Sequence, residues 1–176
     1  MDQIYEGNVC WVFPDNFDTD QICGVKNMAI YDFLKLAPIA MDQFTENFAA
    51  TVQKGDILIT GRNFGYGHPH GQGMGVMRHL GIQVVLAESF SHNFYRSELA
   101  ENGMVLLTVP KISRKVKRGD KLYVDYRKGI VKNLTTGEAM QGIKPSPIEV
   151  ELVECKSLKA FMVKKVKELK ENPEAF

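Results

Sequence analysis

The sequence lacks the cysteine pattern of several protein classes. Its 176 residues include three cysteines, Cys10, Cys23 and Cys155, which lie far apart and form no Cys-x-x-Cys pair. An odd number at such spacing supports neither a disulfide framework nor a self-contained zinc or iron–sulfur site. We therefore expect no metal or cofactor on this chain and a location in the reducing cytoplasm.

Long apolar runs and an excess of one charge are also missing. No stretch approaches the roughly 18 consecutive apolar residues of a membrane span. The formal net charge is +1, which gives no electrostatic reason to expect a nucleic-acid partner. The first six residues carry acidic side chains where a secretory signal needs basic ones. The length and a hydrophobic content of 44% suit one soluble domain covering residues 1–176, with no membrane partner.

A glycine-rich stretch at residues 61–73 organises what is present. It reads Gly-Arg-Asn-Phe-Gly-Tyr-Gly-His-Pro-His-Gly-Gln-Gly and places His68 and His70 between a predicted strand at 56–60 and a predicted helix that stops at Gly81. Ligands bind at this edge of open α/β sheets, because backbone N–H groups and the helix dipole point toward it. A tight turn that happens to contain histidines is the alternative, and the glycine spacing alone is a weak signal.

Periodicity predicts the remaining elements. A βαβαβ unit with parallel strands is predicted from residue 56 onward, because buried runs alternate there with amphipathic segments. A hairpin is predicted where two alternating runs flank Arg127-Lys128-Gly129. The further predicted strands are 4–13, 83–87, 104–109 and 147–153, and the further predicted helices are 27–36, 41–50, 89–103 and 158–169.

A polar loop follows the first predicted strand. Residues 16–22 hold Asp18, Thr19 and Asp20, a set that fits a site wall. The same residues fit an Asx-turn that caps the next segment, so both interpretations stay open.

Taken in order, these motifs resemble a known family. Asp18-Thr-Asp-Gln-Ile22, then Asp56-Ile-Leu-Ile-Thr-Gly-Arg-Asn-Phe-Gly-Tyr-Gly67, then Leu80-Gly-Ile-Gln-Val-Val85 and Ser89-Phe-Ser91 are similar to the small subunit of 3-isopropylmalate dehydratase. So is Val131-Lys-Asn-Leu-Thr-Thr-Gly137. That subunit is similar to the swivel domain of aconitase, and the resemblance spans roughly residues 4 to 170.

The resemblance implies a swivelling β/β/α domain with a mostly parallel sheet and a hairpin. It implies a hydro-lyase that needs a large aconitase-like subunit, which carries a [4Fe–4S] cluster as Lewis acid for a hydroxy-acid substrate. It implies that Asp20 is an active-site carboxylate supporting proton transfer, and that Thr19 and Gly67 border the substrate.

The glycine loop departs from the family pattern Gly-Ser-Ser-Arg-Glu-His-Ala. His68 stands where the family has its proton-abstracting serine, and imidazole has suitable acid–base chemistry. Pro69 stands at a substrate-contacting serine. His70 replaces the arginine that clamps a substrate carboxylate, and Lys26 is the nearby cation on the earlier loop. We therefore expect a substrate other than standard isopropylmalate.

Three other interpretations remain for this loop. The chain could be a non-catalytic binding or regulatory subunit that kept the swivel fold, because both the serine and the arginine are lost. A mononuclear metal site at His68 and His70 is weaker, since two imidazoles lack a third ligand. His68 could also simply hydrogen-bond within the turn.

Overall fold

A seven-stranded sheet forms the centre of the molecule. The computed structural model describes residues 3–67 and 70–171. In that part of the chain the strands lie in the order β4-β3-β2-β1-β5-β6-β7. Their bounds are β1 (Ile4–Phe13), β2 (Ile57–Thr60), β3 (Val84–Ala87), β4 (Val105–Thr108), β5 (Lys121–Asp125), β6 (Ile130–Asn133) and β7 (Ala139–Gln141).

The sheet has a parallel half and an antiparallel half that share β1. Strands β1 to β4 pair in parallel, and β2 and β3 are buried along their whole length. A strand covered on both faces needs a continuous apolar sequence, and these strands have one. Strands β5, β6 and β7 continue from β1 in antiparallel pairs.

Helices connect and cover the strands. They are α1 (Phe33–Leu36), α2 (Phe48–Thr51), α3 (Gln72–His79), α4 (His92–Asn102), α5 (Ile112–Lys115), α6 (Pro147–Cys155) and α7 (Leu158–Glu171). Three 3₁₀ helices, Thr19–Ile22, Val25–Asn27 and Ala37–Ile39, lie between β1 and α2. No helix within the described ranges is long and apolar enough to cross a membrane.

The predicted fold class is confirmed. Strand β1 has the predicted bounds, β2-α3-β3-α4-β4 forms the predicted βαβαβ unit, and β5 with β6 forms the predicted hairpin. The register of the parallel strands brings Phe13, Thr60, Ala87 and Thr108 into line at one edge. The loops that carry the candidate site all leave from this edge.

The predicted strand at 147–153 is wrong, because this segment is helix α6. Ser146 accepts a hydrogen bond from the backbone N–H of Glu149, and the Glu149 carboxylate accepts one from the backbone N–H of Ser146. This capping box, with Pro147 at the first helical position, starts a helix. The apolar residues of the segment form the face of α6 that packs on α4 and α7.

The two predicted helices at 27–36 and 41–50 are also wrong over most of their length. Only α1 and α2 are α-helical there. Asp32 caps α1 by accepting a hydrogen bond from the backbone N–H of Leu34, so helix begins there rather than at residue 27. Met41 and Asn47 adopt left-handed backbone conformations, which a continuous right-handed helix excludes.

Aromatic side chains pack beneath the edge that carries the site. Phe13, Phe17 and Phe64 have ring centroids 4.1 to 6.0 Å apart, and Phe94 meets Phe64 edge-on at 5.1 Å. These rings come from β1, the loops after β1 and β2, and α4. The cluster joins the loops to the core and fixes their relative positions.

Candidate active site

Three loops meet at the carboxyl edge of the parallel strands. Gly61 N–H donates to the Phe13 carbonyl at 3.0 Å, and Asn16 N–H donates to the Arg62 carbonyl at 2.8 Å. These bonds tie the loop after β1 to the loop after β2. Because parallel strands end at the same edge, residues distant in sequence are brought together there.

The loop after β3 supports the glycine loop from its other side. Ser91 caps α4 by accepting a hydrogen bond from the Phe94 N–H at 3.5 Å, and its hydroxyl donates to the Gly65 carbonyl at 2.8 Å. The Ser89 hydroxyl oxygen accepts the Asn63 N–H at 2.8 Å. One short serine-rich turn therefore both starts a helix and holds the glycine loop.

Asp18 brings the first loop against Gly67. Its carboxylate accepts the Asp20 N–H at 3.0 Å, which is the Asx-turn that the sequence allowed. A Cβ at Gly67 would lie 2.6 Å from Asp18 Oδ2, and Gly67 has a φ of +107°. Both the close approach and the backbone conformation require glycine at this position.

Asp20 and His70 form the central pair of the site. His70 Nδ1 lies 2.6 Å from Asp20 Oδ2. Asp20 is 6% exposed, whereas the His70 side chain is 44% exposed. The second carboxylate oxygen, Asp20 Oδ1, is buried and has no hydrogen-bond partner among residues 3–67 and 70–171. A buried carboxylate thus holds an imidazole that reaches toward the surface.

The N-terminus of α3 lies directly after this pair. Gly71 is its N-cap and has no side chain that could accept a hydrogen bond from the first N–H groups of the helix. These N–H groups lie at the positive end of the helix dipole and add positive electrostatic potential near His70. The Gly73 α-carbon packs so closely on the Thr19 carbonyl that a Cβ would overlap it. Thr19 is 4% exposed, and its backbone sets the position of α3.

Lys26 lines a cavity that does not include the Asp20–His70 pair. It belongs to the 3₁₀ helix Val25–Asn27 and lines a cavity of about 310 Å³ together with Gln21, Asn27 and Asp42. Asp20, His70 and Gly67 are not among the described residues that line this cavity. His68, which was predicted to be the base, lies outside the described residues.

Two cysteines near these elements are protonated thiols at neutral pH. Burial, followed by the charge of Asp20, raises the pKa of Cys23 to about 11. Burial and the charge of Asp56 raise the pKa of Cys10 to about 12. A thiol must lose its proton to act as a metal ligand or nucleophile. Within the described ranges no three His, Cys, Asp or Glu side chains are grouped as metal ligands.

Sequence reasoning missed two residues that build the site. Ser91 holds the glycine loop, and the buried Gln72 donates from Nε2 to the Met28 carbonyl at 2.8 Å. The serine before α4 was a visible signal for the first. The Gln72 bond spans 44 residues, and no local pattern indicates it.

Comparison with known proteins agrees with this architecture. The model of the family described as the aconitase C-terminal domain matches residues 34–112. The isopropylmalate/citramalate isomerase small subunit of Methanocaldococcus jannaschii is 36% identical to this chain, and the matched region covers 96% of this chain and 99% of that subunit. The methanogen homoaconitase small subunit of Methanothermobacter thermautotrophicus is 37% identical over 78% of each chain.

A solved structure extends the agreement to three dimensions. The crystal structure of a 3-isopropylmalate dehydratase from Methanocaldococcus jannaschii superimposes with a TM-score of 0.83 at 27% identity, covering 97% of this chain and 100% of that one. Together with the relative that is 36% identical over nearly the full length, this shows that the chain belongs to the family of 3-isopropylmalate dehydratase small subunits, within the aconitase superfamily.

Proposed function

We propose that this chain is the small subunit of a two-subunit hydro-lyase that dehydrates or isomerises a hydroxy-carboxylic acid. The observation that carries the proposal is the Asp20–His70 pair, 2.6 Å apart, under a glycine loop at the carboxyl edge of the sheet. Relatives named as isomerase, dehydratase and homoaconitase small subunits support a partner that completes the site.

The expected [4Fe–4S] cluster belongs to the large subunit in this proposal. The three cysteines of this chain are scattered, and the described residues offer no group of metal ligands. Residues of this chain therefore do not fit the cluster. When bound on the partner, the cluster would supply a Lewis acid for the departing hydroxide.

Proton abstraction is the step that we assign to this chain. Dehydration next to a carboxylate needs a base for a carbon-bound proton, and His68 stands at the family position of that base. A neutral imidazole is a competent base near neutral pH. The buried charge of Asp20 lies on the neighbouring turn, where it supports proton transfer by the histidines of the loop.

Substrate binding is assigned to His70, Lys26, Gly67 and Thr19. Gly67 and Thr19 shape the backbone beside His70, whereas Lys26 lines a separate cavity and is assigned to a second anionic group of the substrate. Imidazole lacks the planar fork and the permanent charge of arginine. We therefore propose a substrate that differs from standard isopropylmalate in the group held at this position.

The proposal is tested by reconstitution with a large aconitase-like subunit from the same source. The two subunits should be combined under anaerobic conditions and screened for dehydration of 2-hydroxy di- and tricarboxylic acids, detected as the conjugated product. Turnover of at least one acid by the complex, and by neither subunit alone, is expected. A complex that forms without turnover would instead support the binding-subunit interpretation.

A further inference from the structure

A second cavity opens at the edge of the sheet opposite to the candidate active site. It has a volume of about 270 Å³, and residues on its walls include Asp56 and Arg118. Asp56 directly precedes β2, whereas the glycine loop follows β2, so the strand places the two sites roughly 15 Å apart. The residues assigned to the active site are not among the described residues that line this cavity.

The cavity forms where β1 changes its partner. The first half of β1 pairs with β5, its second half pairs with β2, and the register shifts between Val9 and Trp11. Such a bulge bends a strand and interrupts its ladder. Val9 N–H donates to the Asp120 carbonyl at 2.8 Å, and Gly119 N–H donates to the Val9 carbonyl at 2.9 Å. The segments that precede β2 and β5 therefore both border one gap above β1.

Arg118 is held at this gap without a carboxylate partner. Its guanidinium carbon lies 4.9 Å from the centroid of the Trp11 ring, and Nη2 donates to the Thr51 hydroxyl oxygen at 3.4 Å. Among the described residues it has no ion pair. A guanidinium carries five N–H donors, so most of them stay available, while the ring contact fixes the plane of the group.

Asp56 supplies the opposite charge on the same cavity. It is 6% exposed, and its Oδ2 accepts the Gln53 N–H at 2.9 Å. The thiol of Cys10 responds to both charges: burial and the charge of Asp56 raise its pKa, whereas the charge of Arg118 lowers it. The two charged groups thus lie within electrostatic reach of one point, and each is held in place by a different contact.

We propose that this cavity binds a free α-amino acid, with the carboxylate of the ligand on Arg118 and its ammonium group toward Asp56. A simple anion would meet the negative charge of Asp56, and a simple cation would meet the positive charge of Arg118. A zwitterion satisfies both groups. The proposal concerns binding by this chain alone, so it stands or falls separately from the proposed function.

The remaining walls indicate the kind of amino acid. The buried Val9 and the protonated thiol of Cys10 form an apolar floor, which suits an apolar side chain. The exposed side-chain amides of Asn8 and Gln53 have no hydrogen-bond partner among the described residues. They are available to bond the polar end of the ligand. We therefore expect a ligand with a small apolar side chain.

Calorimetric titration of the full chain with three related probes tests the charge requirement. The probes are L-norvaline, pentanoate, which lacks the ammonium group, and butylamine, which lacks the carboxylate. We expect L-norvaline to bind with a dissociation constant on the order of 1 mM or lower, and each analogue to bind at least about tenfold more weakly. No saturable binding of L-norvaline, or equal affinity for pentanoate, would overturn the proposal.

Variants locate the binding. Arg118→Gln should weaken L-norvaline binding at least about tenfold. Lys117→Gln, the matched control, removes the same charge from an exposed neighbour that is not among the residues lining the cavity and should leave the affinity unchanged. Asp56→Asn keeps an oxygen that can accept the Gln53 N–H and should remove the preference for L-norvaline over pentanoate. Equal effects of Arg118→Gln and Lys117→Gln would overturn the assignment.

Amide NMR spectra recorded during the titration distinguish this cavity from the active site. L-Norvaline should shift the backbone signals of Asn8 and Gly119, whereas those of Gly67 and Gly71 should stay in place. The same spectra show that each variant is folded. Shifts confined to Gly67 and Gly71 would place the ligand at the glycine loop and overturn the proposal.

Discussion

At the scale of single residues, the base role proposed for His68 requires a neutral imidazole. Turnover should therefore fall as pH drops through its pKa, which is roughly 6.5 for an unperturbed histidine. His68→Ala in the complex should lower kcat by on the order of 10²–10⁴ with little change in KM. Steady-state kinetics check this, and an unchanged kcat with a raised KM would assign the proton to a group on the large subunit.

A second prediction at this scale concerns two neighbouring glycines. A Cβ at Gly73 would overlap the Thr19 carbonyl, whereas a Cβ at Gly71 meets nothing within 4 Å. Gly73→Ala should therefore destabilise the chain by about 1–3 kcal/mol, because backbone atoms must move apart. Gly71→Ala, the matched control, should change the stability by less than about 1 kcal/mol. Urea denaturation measures both, and equal effects would show that α3 does not depend on this approach.

At the scale of elements, helix α6 depends on its first turn. Ser146→Ala removes the hydroxyl that accepts the Glu149 N–H and should cost about 1 kcal/mol in the free energy of unfolding. Ser97→Ala, inside α4, is the control and should be neutral or slightly stabilising because alanine favours helix. If both variants behave alike in urea denaturation, the capping box contributes nothing measurable.

The same helix shows where sequence reasoning succeeded and failed. Buried runs such as Ile57–Thr60 and Val84–Ala87 predicted their strands well, because a strand covered on both faces needs continuous apolar residues. At 147–153 the apolar residues suggested a strand, but Ser146, Pro147 and Glu149 carried a capping signal that periodicity did not weigh. Local caps decided that segment.

The candidate site was predictable in part for a similar reason. The Asp18-Thr19-Asp20 loop and the glycine loop were each predicted to follow a strand, but the parallel pairing of β1 with β2, which brings both loops to one edge, was not predicted. The contact of Asp20 with His70 spans 50 residues and depends on how α3 packs against the 3₁₀ helix Thr19–Ile22. No local pattern contains that packing, so only the structure shows that His70 meets the carboxylate.

At the scale of the whole molecule, ion pairs and hydrogen bonds set the response to acid. Burial raises the pKa of Glu149, but hydrogen bonds from Tyr95 and Ser146 outweigh it and leave the pKa below the ordinary value of 4.5. Hydrogen bonds from Lys164 and Lys165 likewise lower the pKa of Glu151. A carboxyl whose pKa is lowered by folding contributes stability above its unfolded pKa and loses it as pH falls through the folded pKa.

We therefore expect the urea midpoint to fall as pH drops below about 4.5. Glu149→Gln should reduce this dependence, because it removes a charge that Tyr95 and Ser146 stabilise, whereas Glu46→Gln on the exposed surface should not. Glu98 acts in the opposite direction, because burial raises its pKa and its contribution is lost as pH rises. Urea midpoints of the variants across acidic pH check the sign, and a wild-type midpoint that rises on acidification would contradict it.

Assembly with a large subunit is the remaining prediction at this scale. Large apolar side chains stay exposed on the segment between β1 and α2, where Val25, Tyr31 and Leu34 are 70%, 80% and 73% exposed, and on the glycine loop, where Tyr66 is 57% exposed. Exposed apolar surface of this kind is typical of a protein interface. We expect the chain to co-purify with a large aconitase-like subunit through this surface.

We also expect the chain to bind no iron–sulfur cluster by itself. It should stay colourless when it is incubated alone with iron and sulfide under anaerobic conditions.

Substitutions locate that surface. Tyr31→Asp should weaken the complex by about tenfold or more, since a central aromatic residue at an interface typically contributes more than 1 kcal/mol. Met162→Asp, on the exposed face of α7 where Met162 is 53% exposed, is the matched control and should leave the affinity unchanged. Affinity is measured by titrating one labelled subunit with the other. Recovery of homo-oligomers alone, or equal weakening by both variants, would show that the partner does not bind beside the glycine loop.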